Sequence, residues 1–167
     1  MEKSILLIPK LKNIEFIESI RKKYDPLYNK VPPHITLVFP FETNIENNII
    51  INHIESSFKH FQIVHFSLDS FSYLKNGYVF WNVIEGRDYL MKMNKQLYSG
   101  ILAPFKHKTI QYNPHITIAN CSDSTQLHQI INELENSSIH EICTDFSIIF
   151  EEIQLNGDSK VIKEFKL

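Results

Sequence analysis

The tetrapeptide Pro-His-Ile-Thr occurs twice in this chain, as Pro33–Thr36 within VPPHITLVFPF and as Pro114–Thr117 within NPHITIAN. In 167 residues of ordinary composition, a chance second copy is expected about once in several hundred such chains. The residues downstream of each copy also match. A Phe-Ser pair stands 32 positions after His34, at Phe66, and again 31 positions after His115, at Phe146. A repeat on this scale means one supersecondary unit used twice. The chain is therefore read as one domain, 1–167, built from two repeats at roughly 1–75 and 76–167, with strands free to exchange between lobes.

The elements around the motifs carry the same message. Each repeat runs strand, helix, His-Thr strand, helix, long strand. Strands are expected at 4–8, 34–40, 62–74, 78–84, 115–119, 143–155 and 159–166, where β-branched and aromatic residues cluster. Helices are expected at 12–23 with Asn13 as N-cap, at Thr43–Phe58, at 87–102 and at about 123–136, from apolar residues at helical spacing. Asn76-Gly77 and Asn156-Gly157 mark hairpin turns. No low-complexity linker divides the chain. The fold class expected is α+β: two αβ lobes about a pseudo-two-fold axis, with mainly antiparallel sheets lining a central cleft and helices outside.

On a strand, residues two apart face the same way. His34, Thr36 and Val38 then share one face, and Ile35, Leu37 and Phe39 the other. In the second copy His115, Thr117 and Ala119 oppose Ile116 and Ile118. A two-fold relation brings two imidazoles and two hydroxyls around one cleft. Pro33 and Pro114 hold each strand entry extended. An imidazole titrates near neutrality, so one of a pair can accept a proton while the other donates one. Threonine hydroxyls can donate to the oxygens of a phosphoryl group, where charge accumulates in displacement. This is a recipe for phosphodiester chemistry without a metal or other cofactor.

These residues resemble those of the 2H phosphoesterase superfamily, identified by two His-x-Thr/Ser motifs and including 2′-5′ RNA ligase (LigT-like) proteins and RNA 2′,3′-cyclic phosphodiesterases. The resemblance spans essentially the whole chain. The stretches 21–37 and 97–104 further resemble a small branch of bacterial proteins with phosphoesterase names and no assigned substrate. It implies that His34 and His115 are the catalytic acid/base pair and that Thr36 and Thr117 hold the phosphate. The reaction implied is in-line attack of water on a 2′,3′-cyclic phosphate of a small nucleotide or RNA end. The alternatives are joining of RNA ends through a 2′-5′ linkage, and a non-catalytic binder of RNA ends or nucleotides. Where many relatives carry Leu-x-Arg after the second motif, this chain has Ile118-Ala119-Asn120. Lys106, Lys108 or Arg21–Lys23 are then the candidates for a cation at the phosphate.

The remaining features bound the partners. A net charge of −2 argues against a protein that coats long nucleic acid. The apolar runs are too short to span a membrane, and ILLI near the N-terminus is too short for a signal-peptide core. Cys121 and Cys143 lack metal or redox spacing and read as reduced thiols of a cytoplasmic, monomeric protein. Tyr24, Tyr28 and Tyr112, in loops before the motifs, are candidates to stack a base. Trp81 reads as core. The other six histidines (His53, His60, His65, His107, His128 and His140) show no repeated pattern and no metal-ligand spacing.

Overall fold

The structure is a computed structural model, and it describes residues 1–59, 61, 65–121 and 123–166. It contains strands β1 (Lys3–Pro9), β2 (Ile35–Phe41), β3 (Phe66–Tyr73), β4 (Tyr78–Val83), β5 (His115–Asn120), β6 (Glu141–Cys143), β7 (Phe146–Ile153) and β8 (Ser159–Lys166). The helices are α1 (Ile14–Tyr24), α2 (Asn47–Phe58), α3 (Arg87–Leu97) and α4 (Ser124–Ser137), and a 3-10 segment covers Gly100–Phe105. Among the described residues no helix is long and apolar enough to cross a membrane.

All eight strands join one antiparallel sheet in the order β6-β3-β4-β5-β2-β1-β7-β8. Outward from the centre, each half is the counterpart of the other: β5 answers β2, β4 answers β1, β3 answers β7. The third strand of each repeat therefore pairs in the other repeat's half, β3 beside β4 and β7 beside β1. The helices cross in the same sense, α1 packing against β5 and α3 against β2. The halves meet where Ile35 stands opposite Ile116.

The run expected as one strand at 143–155 is two strands. Thr144 and Asp145 separate β6 from β7, which lie in different halves of the sheet. Three peptide steps span at most ~11 Å, so the sheet must curl until its β6 edge returns close to β7. The rings of Phe66 and Phe146, 5.6 Å apart, record that closure. Strand propensity could not show the break, because it is imposed by distant pairing partners.

Three helix boundaries also differ from expectation. The second helix begins at Asn47 rather than Thr43, since Thr43 Oγ1 accepts from the Ile45 backbone N–H (3.1 Å) and holds the chain in a turn. The third stops at Leu97; Gly100, at φ +55°, breaks the helix and starts the 3-10 segment. The first begins at Ile14. Asn13 makes no side-chain cap, and the buried Glu141 carboxylate accepts instead from the backbone N–H groups of Lys12 and Asn13. The expected strand start at 62–64 lies outside the described residues.

Both hairpins form as expected, and both use the same turn. Gly77 N–H donates to Leu74 O and Gly157 N–H to Gln154 O, each glycine having positive φ. A Cβ on Gly77 would lie 1.7 Å from Cys121 O, so that turn closes directly against the end of β5. The core gathers Ile5, Leu7, Ile35, Leu37, Ile116, Ile118, Trp81 and Phe150 with the buried sides of the helices. Both thiols are buried, and burial pushes the Cys143 thiol up to about 12.

Candidate active site

Ile35 and Ile116 are fully buried and paired, so they point into the core together. Their neighbours His34, Thr36, His115 and Thr117 lie on the opposite face, all four half-buried. Extending the antiparallel register by one residue sets His34 against Thr117 and Thr36 against His115. Each imidazole thus faces the hydroxyl of the other copy, and the two imidazoles lie diagonally, a spacing of roughly 7–8 Å in a regular sheet. The structure brings the four predicted residues onto one patch where the two halves join.

Past the threonines the alternation breaks, in both copies at the same place. Ile5 pairs with Val38 and Leu6 with Thr36, which leaves Leu37 as an extra residue on β2. Val79 pairs with Ala119 and Phe80 with Thr117, leaving Ile118 as the extra residue on β5. A bulge switches the face of the residues after it. Val38 and Ala119, expected beside the His-Thr pairs, are fully buried instead. Phe39, expected with Ile35 and Leu37, and Asn120 take the next, half-buried positions.

The bulge on β2 is supported from α3. Asn94 Nδ2 donates to Leu37 O (2.8 Å), and the Phe39 N–H donates to Tyr98 Oη (2.9 Å). Both groups would be orphaned where β2 parts from β5, and Asn94 and Tyr98, four residues apart, supply the partners.

Both imidazoles are held alike. His34 Nδ1 donates to Pro32 O (2.8 Å) and His115 Nδ1 to Asn113 O (2.7 Å), the carbonyl two residues back in each case. A carbonyl only accepts, so each Nδ1 carries the proton and each neutral ring presents a bare Nε2. This feature lies beyond the motif pattern, although the Pro before each His marks the extended turn that permits it. Burial lowers the pKa of both imidazoles, against the pull of these carbonyls. His115 is lowered further by the charge of His34. At His34 the carboxylates of Glu151 and Asp25 favour the proton and Arg21 opposes it.

The other candidates separate. Arg21 is buried and fully engaged: it binds Asp25 (2.8 Å), Glu18 (2.6 Å) and Val31 O (2.8 Å). It clamps the loop before His34 and is not a free cation, while Lys22 and Lys23 are exposed. Lys106 and Lys108 are exposed and line a groove with Lys92, Lys95, His107 and Tyr112, next to Phe39. The Tyr112 hydroxyl is enclosed without a partner among the described residues, and Tyr24 packs on the core. Trp81 is core, as expected. Among the described residues no three His, Cys, Asp or Glu side chains converge as a metal set. His53 is tied to the backbone, its Nε2 donating to Leu97 O (2.9 Å).

One neighbour of the patch has no signal in the motif. Phe80 on β4, paired with Thr117, places its ring 3.9 Å from the His115 ring, tilted 35°. Alternation along 78–82 identifies the face of Phe80 only once the β4–β5 register is known.

The site is thus an antiparallel sheet with duplicated His-x-Thr strands at its centre. Residues 9–149 match the family model described as the 2′-5′ RNA ligase superfamily, and the chain belongs to that family. It is similar to a protein of Bacillus licheniformis with a provisional phosphoesterase name, at 28% identity over 98% of this chain and 96% of that one. A similarly named protein of Bacillus pumilus is 27% identical over 100% and 98%. The fold is that of Escherichia coli LigT, solved with 3′-AMP (TM-score 0.56, 17% identity, 100% and 99% covered) and with ATP (0.53, 14%, 100% and 99%). The chain is a phosphoesterase-family enzyme.

Proposed function

We propose that the protein hydrolyses a 2′,3′-cyclic phosphate on a small nucleotide or RNA end, with His34 and His115 as the proton-transfer pair and Thr36 and Thr117 as donors to the phosphate. The observation that carries this reading is the diagonal placement of two identically held imidazoles, each facing the other copy's threonine. One bare Nε2 takes a proton from water as its oxygen bonds to phosphorus. The other imidazole, protonated, gives its proton to the ribose oxygen as the P–O bond breaks. The products are a phosphomonoester and a free ribose hydroxyl. Because burial keeps both rings neutral near pH 7, the substrate's negative charge restores the one proton the pair needs. The nucleotides bound by LigT support a nucleotide-sized substrate here. With the 5′-hydroxyl of a second RNA end attacking phosphorus in place of water, the same groups would join RNA ends as the cyclic P–O bond breaks, which the family description favours as a second reading.

Phosphorus NMR of 2′,3′-cyclic nucleotides, cyclic-phosphate oligonucleotides and 2′-5′ dinucleotides tests the reading. Wild type is expected to open the cyclic phosphates with and without EDTA. His34→Ala and His115→Ala should each lose about 10²–10⁴-fold in rate. Turnover untouched by either substitution would sink the mechanism.

A further inference from the structure

The two ends of the sheet are finished differently. β8 closes one end on β7, and β6 closes the other on β3. β8 pairs with β7 from Ser147 to Ile153. β6 pairs with β3 only at Phe66, Ser67 and Leu68. Beyond them Asp69 and Ser70 form a bulge, with Ser70 at φ +55°, and β3 continues through Phe71, Ser72 and Tyr73 paired with β4 alone. The Leu74 N–H donates to Tyr78 O (2.9 Å), on the β4 side. Strand groups alternate in direction, so Ser72 also faces β4, and the N–H and C=O of Phe71 and Tyr73 face outward. Among the described residues no strand meets them. The answering stretch of β7, 149–153, is covered by residues 159–164 of β8.

This open edge borders a cavity of about 530 Å³ between β3 and α4. Phe71 pairs with Trp81 and Trp81 with the buried Ile116, so the cavity lies on the face of the sheet away from His34 and His115. Its floor is apolar. Phe71, stacked on Trp81 with ring centroids 5.9 Å apart, is joined by Ile131, Leu134 and Ile139. Tyr73, 58% exposed, stands at its side. The rim carries Asp69 and Glu135, neither in an ion pair among the described residues, with His140 beside them. No Lys or Arg lines the cavity, and α4 contains none.

We infer that this edge is a docking site for an extended segment of another protein. The segment adds a strand beside Phe71–Tyr73, sets apolar side chains into the cavity and meets Asp69 and Glu135 with a Lys or Arg. Outward N–H and C=O groups hold such a strand by main-chain bonds, and an adjoining pocket reads its alternate side chains. The other end of the sheet shows what fills the equivalent place. There β8 brings Lys160 and Lys163 along the edge, while its Ile162 and Phe165 pack on the core. The acidic rim at the β3 end calls for the same combination of apolar and basic residues. A second copy's β8 fits less well, because its Ile162 and Phe165 are already committed to its own core. The bulge at Asp69 and Ser70 keeps the open stretch to three residues, which admits a short segment and limits indiscriminate edge pairing.

A displayed library of random nonapeptides, selected on the full chain, tests this. Enriched peptides should alternate apolar residues and carry a Lys or Arg, and the synthetic peptides should bind more weakly as salt is raised. Tyr73→Pro removes one outward N–H at a position where an edge strand tolerates proline. Glu135→Lys reverses one charge of the rim. Each should weaken peptide binding at least tenfold, with thermal unfolding confirming that the variants are folded, and Tyr73→Ala, which keeps the N–H, should weaken it less than Tyr73→Pro. In the wild-type chain, added peptide should slow hydrogen exchange at the Phe71 and Tyr73 amides, a readout that needs no variant. No enriched peptide, binding unchanged by Tyr73→Pro or by Glu135→Lys, or protection confined to other strands overturns the proposal. Self-association of the wild-type chain that Tyr73→Pro abolishes gives the edge to a second copy and overturns it as well.

Discussion

At the scale of single residues, His34 and His115 combine two opposed influences. A carbonyl bonded to Nδ1 supports the proton-rich form, and burial outweighs it, so both pKa values lie below the ordinary histidine value. An unfolded histidine titrates near 6.5. Between that value and the lower folded one, the unfolded chain binds more protons, so stability present above this window falls as pH drops through it. Thermal unfolding followed from pH 7.5 to 5 should show this slope, and it should be shallower in His34→Gln and His115→Gln. The same lowering predicts proton uptake when an anionic nucleotide binds: calorimetry near pH 7 in two buffers of different ionisation heat should give different apparent enthalpies. Identical enthalpies would mean that no group is protonated on binding. Under the proposed mechanism Thr36→Val and Thr117→Val would each delete one donor to the charged phosphate, about 1.5–3 kcal/mol, and should slow turnover about tenfold to a hundredfold.

Elements are where reading from the chain met its boundary. The period-2 pattern correctly set Ile35 and Ile116 against His34, Thr36, His115 and Thr117. It failed two residues later, since each bulge inserts one residue and alternation cannot show an insertion that pairing with β1 or β4 creates. The buried Asn94 on α3 carried no signal for the same reason: its partner, Leu37 O, is 57 residues away. Asn94→Leu leaves that carbonyl unpaired in the core, at a cost of about 1–3 kcal/mol. A lowered denaturant midpoint with unchanged slope should report it, and kcat should fall as well, because the bulge comes directly after Thr36. Full activity at lowered stability would show that the bulge brace and the site are independent.

Across the whole molecule, the Arg21 cluster joins α1 to the loop that precedes His34 and packs through Val31 on Leu6 and Ile149. Its guanidinium is 2% exposed and bonded to two carboxylates and two backbone carbonyls. Arg21→Met strands the buried Asp25, and removing one partner of such a set costs about 3–5 kcal/mol. Stability should fall by that order in urea titration, and restoring it with a stabilising additive should not restore the full rate if the loop positions His34.

The chain by itself declared the duplication, the alternating strands and the placing of histidine and threonine on one face, because these depend on local geometry at a spacing of two residues. The resemblance to two-histidine phosphoesterases rested on the same short motifs. Tertiary structure alone decided which strands pair, and with it the crossing of β3 and β7 between halves, the split of β6 from β7 and the two bulges. It also decided that Arg21 is a clamp and that Phe80 meets His115. Those outcomes depend on contacts between groups tens of residues apart, whose energies exist only once the sheet has closed.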